Sequence, residues 1–192
     1  MKKILVPLSF ITIIALSFFL FALFDLEIGK FDHFEEAIEK GIPYTVNDVV
    51  HVEQHNDVSI VMYTTTADPS VFPNIDTDVT GIAYFTGNDD EGWESVGSNG
   101  WTHYNNDAMT VYIEPFRLRD DAGDMLENFY VSYGEIHDAN ITAVQTKSHD
   151  DSTFREAKII EKNGLRYYIQ TGEDKIVQGV NSTGEVISRQ GG

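Results

Sequence analysis

The pattern of apolar and polar residues divides the chain into three kinds of segment. An unbroken apolar run without a charged side chain extends from Ile4 to Phe24. Phe31, Phe34 and Ile38 then recur at the spacing of an α-helix. From Val46 onward, short runs rich in Val, Ile, Tyr and Thr alternate with turn residues, which is typical of β-strands. The sequence therefore predicts an apolar N-terminal segment, one short amphipathic helix and a mainly β remainder.

The apolar run is long enough to cross a bilayer. As a helix its 21 residues would extend over about 30 Å, the thickness of the hydrocarbon core. Two lysines precede the run, and Asp25 and Glu27 follow it, which predicts a cytoplasmic N-terminus and an extracytoplasmic body. We expect a single-pass signal anchor in residues 1–30, with the lipid bilayer as the partner of residues 4–24. Cleavage at the small-x-small sequence Ala15–Ser17 is the alternative.

The helix and the strands have recognisable ends. Asp32 fits an N-cap with Glu35 three residues later, and Gly41 is predicted to end the helix in a left-handed conformation. Asn56-Asp57 and Asn163-Gly164 fit two-residue hairpin turns, and the second suits a type I′ turn. Strands are predicted at 46–55, 58–66 and 79–86, over 93–104 on both sides of a turn at Asn99-Gly100, and at 109–116, 130–136, 141–146, 154–161, 165–171, 176–180 and 186–188. This series predicts an antiparallel β-sandwich or stacked β-meanders.

Charge is distributed unevenly along the chain. Residues 25–151 contain 26 acidic and 5 basic side chains, whereas residues 152–192 contain 5 acidic and 6 basic ones. The polar stretch 119–128 is predicted to connect an acidic part at 31–118, which begins with the helix, to a β-meander at 129–190. A single domain that includes both parts is the alternative.

Three passages resemble those of a known group of proteins. The passages are Glu36–Tyr44, Tyr133–Ile141 and Asn181–Ile187. They are similar to passages in small membrane-anchored extracytoplasmic proteins of Bacillus-type, Gram-positive bacteria. The resemblance implies a location outside the cell and a β-rich outer part, and it implies no particular activity.

Composition excludes several classes of function. The 192 residues include 31 acidic and 13 basic side chains, a net charge of −18, and no cysteine. Nucleic acid is excluded as a partner because phosphate binding requires clustered Lys and Arg. The absence of cysteine excludes disulfides, thiolate zinc sites, iron–sulfur clusters, thiol nucleophiles and a lipoprotein anchor.

The densest group of metal-binding residue types is His51, Glu53 and His55. Alternate residues of a strand share a face, and imidazole with carboxylate suits zinc or ferrous iron. The outer histidines would be about 13 Å apart in a strand, so one ion would need a further ligand. The other candidate ligands are His103, His137 and His149. A divalent cation is therefore the one cofactor that the sequence suggests, and a solvated polar strand face is the alternative.

Four aromatic residues in the middle of the chain permit two interpretations. Trp93, Trp101, Tyr104 and Tyr112 would form a platform for sugar rings if they shared an exposed face. Small β domains also use Trp and Tyr in the core or at its rim, where their polar ends reach water. The sequence favours core or rim packing.

No catalytic motif is present in the sequence. It contains no nucleophile elbow, phosphate-binding loop or dinucleotide fingerprint. No catalytic residue is therefore predicted, and we expect an extracytoplasmic binding protein of the cell envelope whose partner is an envelope protein or a cell-wall polymer. A metal-dependent or carboxylate-dependent envelope hydrolase is the alternative.

Overall fold

The computed structural model describes residues 29–75, 77–104 and 106–191. Within these ranges, no helix is long and apolar enough to cross a membrane. The predicted anchor at 4–24 and its alternative cleavage site lie outside the described residues. The chain from Phe31 onward forms one compact unit.

The described residues form one short helix and thirteen strands. The helix α1 extends over Phe34–Gly41. The strands are β1 (Lys30–Phe31), β2 (Asp48–His55), β3 (Val58–Thr66), β4 (Asp78–Asn88), β5 (Gly92–Val96), β6 (Tyr112–Arg119), β7 (Met125–Glu135), β8 (Ala143–Lys147), β9 (Arg155–Glu156), β10 (Lys158–Lys162), β11 (Leu165–Gly172), β12 (Ile176–Val180) and β13 (Val186–Gln190). The prediction of a mainly β body with one short helix is confirmed for this part of the chain, and the two-residue strand β1 precedes the helix.

The strands form three antiparallel sheets. The first sheet has the order β1-β5-β4-β3-β2, the second β10-β11-β7-β6, and the third β13-β12-β8-β9. Most neighbours are joined by hairpins, because short turns favour antiparallel pairing. The pair β7–β11 is the exception that matters here, because it brings distant segments together in the second sheet.

The helix packs on one face of the first sheet. Ala37 of α1 is fully buried against a core cluster that contains Tyr63 of β3 and Phe85 of β4. Phe34 contacts Phe85 and Trp93, with ring centroids 5.8 Å and 4.5 Å away. The apolar side of this short helix thus covers the outer face of the first sheet.

The second sheet contributes to two cores. Tyr167 and Ile169 of β11 belong to the core shared with the first sheet, whereas Tyr168 between them belongs to the core shared with the third sheet. This alternation follows from the two-residue period of a strand. Both shared cores contain fully buried side chains, such as Ile60 of β3 in the first and Tyr168 and Val177 of β12 in the second.

The ends of the helix differ from the predicted caps. His33, not Asp32, occupies the N-cap position, and its side chain makes no capping hydrogen bond. Gly41 does end the helix, but its backbone is not left-handed. A Cβ atom at Gly41 would lie 2.9 Å from the ring of Phe85. Glycine is needed here because the helix approaches the first sheet closely.

The hairpin turns at Asn56-Asp57 and Asn163-Gly164 form, whereas only the first of the two strands predicted over 93–104 does, as β5. Asn163 and Gly164 have φ values of 52° and 79°, as a type I′ turn requires. Strand β5 ends at Val96, and beyond it Asn99 uses its side chain as a hydrogen-bond partner. Its Oδ1 accepts from the backbone N–H of Tyr84 at 3.0 Å. This bond takes the place of a regular strand ladder.

The stretch 119–128, predicted as a connector, contains the ends of two paired strands. Strand β6 continues to Arg119 and β7 begins at Met125. Asp120 closes the turn between them, because its Oδ1 accepts the backbone N–H of Asp124 at 2.8 Å. The hydrogen-bonded hairpin therefore passes through the predicted boundary.

A carboxyl group lies among tyrosines at the edge of the first shared core. Glu114 of β6 is partly buried, and the Tyr133 hydroxyl donates a hydrogen bond of 2.9 Å to its Oε1. The Tyr84 hydroxyl is buried and has no hydrogen-bond partner among the described residues. Burial raises the pKa of Glu114, and the hydrogen bond from Tyr133 opposes that rise only in part. Folding thus favours the protonated form of this side chain.

Replacing Glu114 with glutamine is expected to raise the free energy of unfolding at neutral pH by about 1 kcal/mol. The amide still accepts the bond from Tyr133, and it adds donors within the cluster that contains Tyr84. Because the folded-state pKa of Glu114 lies above the unfolded value, stability falls as pH rises from the unfolded pKa through the folded one. Glu114→Gln removes that contribution. Urea unfolding measured at several pH values between about 4 and about 8 tests this expectation.

The matched control for this substitution is Glu161→Gln, which makes the same chemical change at an exposed position of β10. The control is expected to unfold with the pH dependence of the unchanged protein. If the Glu114→Gln protein unfolded with the same pH dependence as the unchanged protein, the loss of stability with rising pH could not be assigned to Glu114.

Candidate functional site

A cleft of about 880 Å³ is lined by residues from the first and second sheets and from the segment that precedes β6. Its lining includes the start of β2, the start of β4, the end of β7 and the β10–β11 turn. The titratable carboxylates and histidines in the lining are Asp48, Asp78, His103, Asp107, Glu135 and His137. Carboxylates therefore outnumber histidines in the lining, which contains no Lys or Arg among its described residues.

Asp48 lies at the first position of β2, where the β10–β11 turn meets it. Asn163 donates a hydrogen bond of 2.5 Å from its Nδ2 to Oδ2 of Asp48. Nζ of Lys162 lies 3.1 Å from Oδ1 and also donates to the carbonyl of Val49 at 2.9 Å. The charge of this carboxylate is therefore balanced by a neighbouring ammonium group.

Asp78 begins β4 and is held by neutral donors. Its Oδ1 accepts hydrogen bonds from Nδ2 of Asn47 at 2.9 Å and from the Thr66 hydroxyl at 3.0 Å. Thr66 is the direct partner of Asp78 in the β3–β4 pairing, so the sheet register fixes this arrangement. None of the described residues places a Lys or Arg nitrogen within 4.0 Å of Asp78.

Glu135 ends β7 and joins the first and second sheets. Its Oε1 accepts a hydrogen bond of 2.5 Å from the hydroxyl of Thr80 in β4. Thr110 fixes the backbone of Glu135 through two hydrogen bonds. The N–H of Glu135 donates to Oγ1 of Thr110 at 2.8 Å, and the N–H of Thr110 donates to the carbonyl of Glu135 at 2.9 Å. Oε2 lies 4.0 Å from Nε2 of His137 and is the oxygen left available to the cleft.

Tyr167 of β11 lies in the lining close to these carboxylates. Its side chain is only 3% exposed, and no hydrogen bond joins its hydroxyl to another described residue. Burial, followed by the negative charges of Glu135, Asp48 and Asp78, raises the pKa of Tyr167 to about 12. The phenol therefore stays protonated at neutral pH and provides a polar hydroxyl near three carboxylates.

The remaining wall comes from the segment before β6. Oδ1 of Asn106 accepts from the backbone N–H groups of Ala108 and Met109, at 2.9 Å and 3.2 Å. The carbonyl of Ala108 in turn accepts from the N–H of His137 at 2.9 Å. This wall, which includes His103, is therefore attached to the end of β7 by backbone bonds.

The structure brings His51 and Glu53 together and places His55 on a different partner. Nε2 of His51 lies 3.4 Å from Oε2 of Glu53, and the ring of His55 packs against that of Phe129 at a tilt of 59°, with centroids 4.6 Å apart. All three side chains lie on the β2 face that meets the second sheet, as the predicted alternation requires. A β-bulge between Val49 and His51 lets Val50 join the same core.

The environment of His51 favours a neutral imidazole. Burial and the nearby Lys158 lower the pKa of His51, and Glu53 opposes this in part. Nζ of Lys158 lies 3.2 Å from Nε2 of His51, and the hydroxyl of Thr171 donates to Glu53 at 2.5 Å. His51 and Glu53 do not line the cleft described above. Among the described residues, no group of three or more His, Asp or Glu side chains is arranged to hold a metal ion.

The four aromatic residues considered for a sugar platform lie in different places. Trp93 packs on Phe34 and donates from Nε1 to Asp89 at 2.7 Å. Tyr112 is buried, and Tyr104 packs against it with ring centroids 5.2 Å apart. Trp101 lies elsewhere and contacts two aromatic rings from loops, which are described below. The structure thus places Trp93, Tyr104 and Tyr112 in packing contacts.

The sequence did not single out most of the cleft. The sequence suggests His103 and His137 as further metal ligands, and no pattern in it connects them with Asp48, Asp78 or Glu135. Each of these carboxylates lies at the end of a strand, where polar residues are common, so the sequence does not indicate which residues they contact. Their proximity depends on sheet pairings that join distant parts of the chain.

Comparisons with protein-family models, with curated proteins and with solved structures each found no match.

Proposed function

We propose that this chain is a membrane-anchored extracytoplasmic binding protein whose cleft binds an ammonium group. The ligand would belong to the cell envelope and would be a polymer or peptide that bears free amino groups. Residues 4–24 would cross the bilayer, with the N-terminus in the cytoplasm and the β-rich part outside. The charges flanking the apolar run support this orientation.

The observation that carries the proposal is the group of acceptors around Tyr167. Three carboxylates act on this buried phenol, and only Asp48 has a lysine beside it among the described residues. Asp78 and Glu135 are held by neutral hydroxyl and amide donors, and no Lys or Arg nitrogen of the described residues lies within 4.0 Å of either carboxylate. In the described part of the chain, the one basic group at that distance is the imidazole of His137, beside Glu135. An ammonium group in the cleft would supply a positive charge and donate hydrogen bonds to carboxylate oxygens.

The size of the cleft favours an organic cation over a single metal ion. A volume of about 880 Å³ is in the range of clefts that hold small organic ligands. The carboxylates are also engaged separately, Asp78 by Asn47 and Thr66, and Glu135 by Thr80. Because the carboxylates have separate hydrogen-bond partners, they suit several contacts along one extended ligand better than joint coordination of one ion.

Neutralising these two carboxylates is expected to weaken binding of amino compounds about tenfold or more. The variant is Asp78→Asn with Glu135→Gln, which keeps the size of both side chains. Titration calorimetry of the full chain in a non-ionic detergent, with amino-bearing wall fragments as ligands, measures the change. We also expect N-acetylation of the fragments to abolish binding, and added salt to weaken it.

The matched control is Asp121→Asn with Glu161→Gln, which removes the same two charges from exposed positions outside the cleft. The control is expected to bind amino-bearing fragments like the unchanged protein. If both double variants lost the same affinity for the fragments, the net charge of the protein would explain binding, and a site in the cleft would be refuted.

A further inference from the structure

Three aromatic side chains form a group, here called the aromatic patch, that consists of the exposed Tyr44 and Phe72 and the half-buried Trp101. The ring of Trp101 lies 5.0 Å from that of Phe72 and 6.3 Å from that of Tyr44, with both pairs edge to face. Tyr44 and Phe72 are each 41% exposed. Most large apolar side chains of a folded domain are covered, so two exposed rings on either side of a half-buried tryptophan indicate a binding surface.

The aromatic patch adjoins the cleft. Trp101 is two residues from His103, and Tyr44 is three residues from Asn47, and both His103 and Asn47 line the cleft. Two or three residues of extended chain cover about 7–10 Å. Trp101 also pairs with Gly81 of β4, the residue after Thr80 that donates to Glu135. The patch is therefore joined to the cleft lining by segments of two or three residues and by the backbone of β4.

The chemistry of the lining indicates the kind of ligand. Among its described residues Leu165 is the only aliphatic one, and the neutral polar groups are amides and hydroxyls. These are Asn47, Asn106, Asn163, Thr64, Thr77 and Thr110. Amides and hydroxyls both donate and accept hydrogen bonds, so they complement the hydroxyls of a sugar. The negative faces of aromatic rings attract the C–H groups on the apolar face of a sugar ring.

We propose that the cleft and the aromatic patch together bind an amino-sugar oligosaccharide. One sugar ring places its ammonium group among Asp78, Glu135 and Tyr167, and a following ring stacks on Phe72 and Trp101. This inference rests on the proposed function of the cleft and adds the class of ligand. It requires that a chain of several rings bind more tightly than one ring.

The test compares glucosamine with a glucosamine hexamer on the full chain in a non-ionic detergent. We expect the hexamer to bind about tenfold more tightly than the monomer, since stacking adds free energy only for the longer ligand. Phe72→Ala is expected to remove most of that difference and to leave monomer binding unchanged. Trp101→Ala should act in the same way, and Phe72, in an exposed loop, is the variant less prone to misfold.

Leu126→Ala is the matched control, because it removes an exposed apolar side chain from β7 outside both the cleft and the patch. Equal affinities for monomer and hexamer, or a Phe72→Ala protein that keeps the difference, would overturn the inference and leave the ammonium site standing. Binding of lysine amide without binding of either sugar would also overturn the inference alone. Failure of glucosamine, the hexamer and lysine amide to bind would overturn the proposed function as well.

Discussion

Replacing Gly134 with alanine is expected to lower the free energy of unfolding by about 3 kcal/mol and to disrupt the cleft. Gly134 lies in β7 next to Glu135, and a Cβ atom there would lie 2.1 Å from the backbone oxygen of Thr110. Since that contact is with backbone, the segment that carries Thr110 must move. The shift would break the 3.1 Å hydrogen bond that the buried Tyr168 hydroxyl donates to the same oxygen. Chemical unfolding measures the loss of stability, and titration with an amino-bearing ligand measures the loss of the cleft.

Gly100→Ala is the matched control for this substitution. Gly100 has no left-handed backbone, and the nearest atom to an added Cβ, the carbonyl oxygen of Ser98, lies 3.8 Å away. We expect this variant to unfold like the unchanged protein. If Gly134→Ala were equally well tolerated, the close approach of Thr110 to β7 would be refuted.

The elements that the sequence predicted well are those determined by neighbouring residues. The Asn163-Gly164 turn forms because both residues tolerate positive φ, a property that needs no distant partner. The alternation of His51, Glu53 and His55 on one face likewise follows from local strand geometry. Such features depend on a few consecutive residues, so a single sequence contains enough information to predict them.

The cleft could not be predicted because its groups are distant in sequence. Asp48 meets Asn163, 115 residues away, and Thr80 meets Glu135, 55 residues away. No spacing rule connects such pairs, since they are brought together by the pairing of β7 with β11 and by the packing of two sheets. The same applies to the aromatic patch, whose rings come from three separate loops.

The turn and the second strand predicted at 97–104 do not form, and this has a specific cause. Apolar residues on both sides of Asn99-Gly100 suggested two strands joined by a tight turn. In the structure, Asn99 is 3% exposed, and its Oδ1 accepts the N–H of Tyr84. The buried side-chain amide of Asn99 thus accepts a backbone N–H of β4 that would otherwise bond to a neighbouring strand. Composition alone does not distinguish this side-chain role from a turn.

Asp174 links the second and third sheets through a buried group of hydrogen bonds. The residue lies between β11 and β12, and its side chain is 1% exposed. Its carbonyl accepts a 2.9 Å bond from the hydroxyl of Ser132 in β7, and its Oδ2 accepts a 2.6 Å bond from the hydroxyl of Thr146 in β8. Its Oδ1 accepts a further bond from the guanidinium of Arg155 in β9. The Asp174 carboxylate thus accepts hydrogen bonds from side chains of β8 and β9, and its backbone carbonyl accepts one from β7.

Asp174→Ala is therefore expected to lower the free energy of unfolding by about 3 kcal/mol, and the melting temperature by about 6–12 °C. The alanine leaves the fully buried Thr146 hydroxyl without its acceptor, and Arg155 loses its buried partner. The matched control is Asp151→Ala, because Asp151 contacts the same guanidinium at 3.4 Å but is 44% exposed. An exposed pair contributes about 1 kcal/mol or less, so the control should change the melting temperature little. Equal melting temperatures for the two variants would refute a structural role for the buried group.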